Sequence, residues 1–186
     1  MKIYIKYMTG YRCKLFVKKE LKNLGIQDAL VKLGVVELQN ELTKSQLDEF
    51  EERLFRIGLE ILYSRSSILV EKIKLIVINI IFYTHKFPKT NFSDYLSEKL
   101  GYNYTYLSNT FSSEEGISIK EFIIYNKIEK IKEFLLHDEL TLTEIAFKLD
   151  YSSVAHLSNQ FKKITGYSPT QYKKLHIYDR KYAGSL

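Results

Sequence analysis

The stretch LSNTF at Leu107–Phe111 recurs almost unchanged as LSNQF at Leu157–Phe161, fifty residues further along the chain. The same displacement continues beyond it, because GISIKEF at Gly116–Phe122 corresponds to GYSPTQY at Gly166–Tyr172. Two pairs of matched segments at one fixed displacement indicate that a structural module is present twice.

Each copy predicts a short helix, a tight turn and a second helix. An amphipathic segment precedes each copy and ends in a turn, at Gly101-Tyr102 in the first copy and at Asp150-Tyr151 in the second. The leucine and phenylalanine that follow are four residues apart, so they share one side of a helix and predict its buried anchors. This order of elements predicts two helix-turn-helix modules.

The residues between and before the anchors are predicted to lie on the outer face of each second helix. Such a face fits the major groove of DNA, where asparagine can bind adenine through two hydrogen bonds. A polar outer face is also common on helices that bind nothing but water. The predicted outer-face residues are Tyr104, Thr105, Ser108, Asn109, Val154, Ala155, Ser158 and Asn159. His156, beside the anchor Leu157, is expected to pack near the seam between the two helices.

The tandem resembles the AraC/XylS family of transcription regulators over roughly residues 69–175. The segment EIAFKLDYSSVAHLSNQFKKITGYSPTQY at Glu144–Tyr172 is similar to the signature of that family's second helix-turn-helix. Asp150 stands where glycine is usual in the turn, and aspartate tolerates left-handed backbone geometry. The resemblance implies two modules joined by a long helix, here about residues 119–136, with recognition helices in successive major grooves.

The resemblance also implies base contacts from the eight outer-face residues listed above. Many relatives carry arginine where Asn109 and Asn159 stand, so we expect a preference for adenine rather than guanine. Lys162 and Lys163, at the end of the second recognition helix, are expected to contact phosphates. Lysines at this end of a helix also complement its dipole without binding DNA.

Residues 1–64 predict a different architecture, with short strands alternating with helices. The predicted elements are a strand over 2–8, a helix over 12–24, a hairpin of 29–33 and 35–39, a helix that begins at a Thr43–Gln46 capping box, and a strand over 59–63. The order β-α-β-β-α-β is that of the ferredoxin-like fold. The predicted class is therefore α+β, with a ferredoxin-like domain over 1–64, an all-α AraC-type domain over 68–176 and a tail over 177–186.

A possible metal loop lies at the start of the first predicted helix. The segment MTGYRC at Met8–Cys13 resembles the loop of heavy-metal-associated domains, whose two cysteines hold a soft ion such as Cu(I). Gly10 stands at the first cysteine position, so Cys13 would need Met8, a histidine or a second subunit to complete a site. The alternatives are a purely structural Cys13, a redox role for its thiol, and a domain that serves dimerisation through its sheet edge.

The composition limits the remaining function classes. The chain has 186 residues and a single cysteine, which excludes an intramolecular disulfide and favours a cytoplasmic protein. Its net charge of +6 fits a nucleic-acid partner. Its longest apolar run, Leu75–Tyr83, is about half the roughly 20 residues that a spanning helix needs, so no membrane is expected as a partner. It contains none of the common nucleophile, Walker or metalloprotease motifs, so an enzyme is not expected. We expect a transcription regulator that binds duplex DNA and contacts RNA polymerase. The alternatives are a metal-trafficking or metal-buffering protein and an RNA-binding protein, although the latter lacks the expected stacking aromatics.

Overall fold

The chain divides into two compact units in a computed structural model that describes residues 1–84, 87–137 and 140–175. The first unit contains residues 1–76 and 102–114. The second contains residues 77–101 and the chain from 115 onward. The fold is thus mixed, with a small antiparallel sheet near the N terminus and helices in the rest of the described chain.

The first unit is built on a four-stranded sheet in the order β2-β3-β1-β4. All neighbouring strands are antiparallel, and the register pairs Ile3 with Val36 and Ile5 with Ile61. In chain order its first six elements are β1 (Lys2–Lys6), α1 (Tyr11–Asn23), β2 (Ala29–Lys32), β3 (Val35–Leu38), α2 (Lys44–Phe55) and β4 (Glu60–Leu62).

One core joins this sheet to α1 and α2. Successive strand residues point to opposite faces, and Ile3 and Ile5 of β1 are buried together. The buried cluster also contains Val17, Leu21, Val36, Phe50, Leu54 and Ile61. Helix α2 begins with the predicted capping box, which is confirmed: the hydroxyl of Thr43 accepts from the backbone N–H of Gln46, and the side chain of Gln46 accepts from the backbone N–H of Thr43.

Helix α3 (Arg65–Ile78) lies against the other face of the sheet. Tyr4, between Ile3 and Ile5, points to this face, and the ammonium of Lys72 lies 4.9 Å from its ring centre. Gly34, in the β2–β3 turn, approaches Leu75 so closely that a Cβ atom at residue 34 would overlap that side chain. The boundary predicted near residues 64–68 thus coincides with the first turn of a helix that packs on the sheet.

The remaining elements are helical. A π-helical turn, Asn79–Thr84, follows α3 and precedes α4 (Phe92–Leu100), α5 (Tyr104–Glu115), α6 (Ile119–His137), α7 (Leu142–Lys148) and α8 (Val154–Thr165), and a last helix begins at residue 169. The predicted long helix over 119–136 is confirmed as α6. Within the described ranges no helix has both the length and the apolar character needed to span a membrane. The predicted tail over 177–186 lies outside the described residues.

The second unit has its own core around α6, α7 and α8. Its fully or nearly buried members are Val77, Ile81, Ile128, Ile131, Leu135, Ile145, Ala146, Leu149, Tyr151, Leu157 and Phe161. Ala146, the smallest of these residues, is buried beside Ile145 of the same helix.

We expect Gly34→Ala to destabilise the chain more than Gly58→Ala does. Both glycines have a positive φ, +69° and +76°, but only Gly34 lies against another side chain. The backbone strain costs about 1 kcal/mol at either position, and displacement of Leu75 adds about 1–2 kcal/mol at residue 34. Denaturant unfolding measures both variants. Equal losses would show that α3 does not pack on the sheet at this point.

Candidate nucleic-acid interface

The two second helices, α5 and α8, have the same pattern of burial. From 104 to 111 and from 154 to 161, each position has the same class of exposure as the position fifty residues away. Leu107, Phe111, Leu157 and Phe161 have no accessible surface. The four predicted anchors are therefore confirmed, and burial of the anchors leaves the same face of each helix in water.

The outer-face residues fall into two groups, and the groups correspond between the helices. Thr105 and Asn109 are exposed on α5, as are Ala155 and Asn159 on α8. The other four predicted residues, Tyr104, Ser108, Val154 and Ser158, are half-buried. Burial also raises the pKa of Tyr104 above its ordinary value. The exposed residues Thr105, Asn109, Ala155 and Asn159 are therefore the ones best placed to contact bases in a DNA groove.

Tyr106 and His156 are two further exposed residues that occupy matching positions. The Tyr106 ring lies 5.3 Å from that of Tyr102, and the His156 ring meets Tyr151 edge-on at 5.3 Å. The expectation that His156 packs in the helix seam is wrong, because its side chain is exposed and its Nδ1 lies 3.0 Å from the Ser152 hydroxyl. The displacement of fifty could have revealed both residues, since Tyr106 and His156 stand at matching positions beside the anchors Leu107 and Leu157.

The start of each second helix is set by an equivalent N-cap. The side-chain oxygen of Asn103 accepts from the backbone N–H of Tyr106 at 2.8 Å, and the hydroxyl of Ser153 accepts from that of His156 at 3.1 Å. These bonds satisfy amide groups that the helix leaves without a partner. The caps are fifty residues apart, so the module is repeated in its backbone as well as in its side chains.

The turns differ by one residue. Gly101, with φ of 74°, lies three positions before α5, whereas Asp150, with φ of 54°, lies four positions before α8. The prediction that Asp150 adopts left-handed geometry is therefore confirmed.

Lys127 of α6 holds the turn before α8. Its ammonium donates to the carbonyl oxygen of Asp150 at 3.4 Å and lies 4.7 Å and 4.9 Å from the ring centres of Phe87 and Tyr151. Burial lowers the pKa of Lys127 to about 8, although the negative charge of Asp150 acts in the opposite direction. A half-buried lysine thus contacts the residues from which the second recognition helix begins.

Tyr151 connects this turn to α8 itself. Its hydroxyl donates to the side-chain oxygen of Gln160 at 2.7 Å, and burial raises the pKa of Tyr151 to about 12. The aromatic ring is buried in the core of the second unit. The turn and α8 are therefore linked by a side-chain hydrogen bond.

The ends of the two recognition helices carry different charges. Lys162 and Lys163 are exposed in the last turns of α8, where cations also complement the helix dipole. The corresponding residues of α5 are Ser112 and Ser113, and Glu114 follows them. Only α8 therefore offers lysines for phosphate at this position.

The comparisons with known proteins agree with this geometry. A family model described as "Helix-turn-helix domain" matches residues 96–175. The uncharacterized HTH-type transcriptional regulator YtdP of Bacillus subtilis is 31% identical over 90 residues, which cover 48% of this chain and 12% of that protein. The uncharacterized HTH-type transcriptional regulator SAS0078 of Staphylococcus aureus is 33% identical over 78 residues, covering 42% and 10%. The chain thus spans about a tenth of the length of these relatives.

A solved structure extends the similarity to the fold. The C-terminal domain of AraT, a response regulator from Geobacillus stearothermophilus, is 30% identical with a TM-score of 0.52, and the match covers 60% of this chain and 88% of that one. Through this region the chain belongs to the AraC-type helix-turn-helix family. The repeated burial pattern of α5 and α8 is the physical basis of that AraC-type domain.

Cys13 lies outside the AraC-type domain and stays a predicted metal ligand. Its side chain is half-buried and packs against the core of the first unit, whereas Met8 is fully buried within that core. Among the described residues, no group of three or more histidine, cysteine, aspartate and glutamate side chains is arranged to hold a metal ion.

We expect Lys127 to make the stability of the AraC-type domain depend on pH. Its folded pKa of about 8 is below the ordinary value of 10.5, so between these pH values the unfolded chain binds more protons and stability rises with pH. Relative to a Lys127→Met variant, the free energy of unfolding should increase by about 1–2 kcal/mol from pH 7 to pH 9.5.

Thermal unfolding over that range measures the effect, because any contribution from tyrosine ionisation near pH 9.5 is common to the wild type and the variant. An exposed lysine of the same helix, Lys120, provides the matched control, Lys120→Met. If the Lys127→Met and Lys120→Met variants followed the wild type at every pH, partial burial would not lower the pKa of Lys127.

Proposed function

We propose that the chain is a sequence-specific DNA-binding transcriptional regulator that places α5 and α8 in successive major grooves of one duplex. The observation that carries the proposal is the position-by-position match between α5 and α8. Each helix is anchored by a buried leucine and phenylalanine and leaves a small polar face in water. An α-helix with such a face fits the major groove, where each base pair presents a distinct pattern of donors and acceptors.

Within this proposal the exposed residues read bases. Asn109 and Asn159 are exposed at equivalent positions, and an asparagine amide can donate to adenine N7 and accept from its N6 amino group. Thr105 and Ala155 supply small contact surfaces, suited to the thymine methyl group. The half-buried Tyr104, Ser108, Val154 and Ser158 lie at the edge of the same face and add further base contacts.

Lys162 and Lys163 bind phosphate in this account and contribute affinity without specificity. Both side chains are exposed, and the chain as a whole has a net charge of +6. Cations near phosphate release counterions, so each such contact makes binding weaker as salt concentration rises.

The N-terminal sheet is proposed to be a ferredoxin-like domain that serves sensing or dimerisation. The strand order β2-β3-β1-β4, with α1 and α2 on one face, supports this class. Edge strands such as β2 have backbone groups that could pair with a second copy. Contact with RNA polymerase and a cytoplasmic location belong to the same proposal, which assigns the chain no catalytic step.

Selection of bound duplexes from a random pool at fixed salt tests the proposal. We expect the wild-type chain to enrich a motif of two blocks about one helical turn apart, with adenine prominent in both. An Asn109→Ala, Asn159→Ala double variant should lose the enrichment at those adenines, because each asparagine supplies both hydrogen bonds to the base.

A Lys162→Ala, Lys163→Ala variant is the matched control for this selection. It should enrich the same motif while binding every duplex more weakly, and its slope of log affinity against log salt should fall by about 2. If the wild type enriched no motif, the chain would not read sequence by itself. A motif unchanged by the asparagine variant would reassign the base contacts to other residues.

A further inference from the structure

The carboxylate of Glu114, near the C-terminal end of α5, binds two serines of the segment that opens α3. Its Oε1 accepts from the Ser66 hydroxyl at 2.7 Å, and its Oε2 accepts from the Ser67 hydroxyl at 3.2 Å. These residues are 48 and 47 positions away in the chain. Both oxygens of one carboxylate are thus engaged by neighbouring residues of a single helical turn.

The serines are themselves held in place. The Ser64 hydroxyl accepts from the backbone N–H of Ser67 at 3.0 Å and donates to the Ser67 hydroxyl at 2.7 Å. Ser64 therefore acts at the N-terminal end of α3, where a helix also favours a negative charge. We call Glu114, Ser66 and Ser67 the serine clasp.

The clasp belongs to the first compact unit, which contains residues 102–114 together with residues 1–76. The first recognition helix is therefore grouped with the N-terminal sheet rather than with α8. Helix α3, which carries the two serines, packs on that sheet through Lys72 against Tyr4 and Leu75 against Gly34. The contacts run from the sheet through α3 to α5.

The residue at the equivalent place in α8 has no such role. Fifty residues after Glu114 stands Ile164, which is 40% exposed and follows the two lysines. A carboxylate at the end of a recognition helix repels DNA phosphate, so phosphate binding does not account for Glu114. Its two hydrogen bonds to serine indicate a structural role instead.

We infer that Glu114 is a positioning residue for the first recognition helix, tying α5 to the N-terminal sheet through Ser66 and Ser67. The inference rests on the proposed function. The second half of the DNA site is read by a helix held within the AraC-type core and assisted by lysines. The first half is read by α5, whose orientation depends on α3 and the sheet. A change in the sheet therefore alters recognition of the first half-site and leaves recognition of the second unchanged.

The test compares three full-length variants with the wild type. Ser66→Ala, Ser67→Ala breaks the clasp without changing charge, and Glu114→Gln weakens it, because one acceptor oxygen becomes an amide group, and removes one negative charge. Glu98→Gln removes an exposed negative charge from α4 and leaves the clasp intact. Affinity is measured for the selected duplex and for versions with either half-site scrambled, and amide hydrogen exchange is measured without DNA.

We expect both clasp variants to reduce discrimination at the first half-site about three- to tenfold and to leave the second unchanged. Exchange should become faster in the last turn of α5, residues 111–115, in both clasp variants and not in Glu98→Gln. A third result separates the two proposals. If exchange were faster in both clasp variants but neither the wild type nor any variant preferred a DNA sequence, the clasp would position α5 as inferred and the proposed function would be refuted.

Two results would overturn the inference while leaving the proposed function in place. One is wild-type exchange and wild-type reading of both half-sites in the serine variant. The other is an effect of Glu114→Gln that Ser66→Ala, Ser67→Ala does not share, because that pattern would reflect charge alone.

Discussion

Burial of a leucine and a phenylalanine four residues apart determines which side of each recognition helix can meet DNA. Full burial of a side chain of this size contributes about 1.5–3 kcal/mol, far more than any exposed hydrogen bond on the same helix. Leu107 with Phe111 and Leu157 with Phe161 therefore fix the rotation of α5 and α8 about their axes. The small polar residues between the anchors are exposed as a consequence, and their identity is free to serve recognition.

The two modules share this anchor but are supported in different ways. At α8 the turn is held by Lys127. Its ammonium contacts the rings of Phe87 and Tyr151 and donates to the Asp150 carbonyl. At α5 the support comes from the opposite end of the helix, through Glu114 and the serines of α3. The lysines of α8 have no counterpart in α5. The two recognition helices thus differ, because α8 ends in two lysines and α5 is bound to the serines of α3.

Most of the AraC-type domain could be predicted from the sequence because its determinants are local. The anchors and the N-caps each involve residues within four positions of one another, as does the capping box at Thr43 in the first unit. Contacts between residues far apart in the chain could be seen only in the structure. The carbonyl of Asp150 lies 23 residues from Lys127, and Glu114 lies 48 residues from Ser66, so no periodicity in the chain indicates either pair. The error at His156 had a related cause, since a residue beside a buried anchor can still point into water.

Substitution of 7-deazaadenine for adenine in a bound duplex tests most directly whether the chain reads DNA with two equivalent helix faces. The change removes the N7 acceptor that adenine presents in the major groove, so it should weaken binding in two clusters about ten base pairs apart, on the same face of the duplex. We expect both clusters to include the adenines opposite Asn109 and Asn159. A single cluster, or no interference at any adenine, would contradict the central claim that α5 and α8 enter successive major grooves.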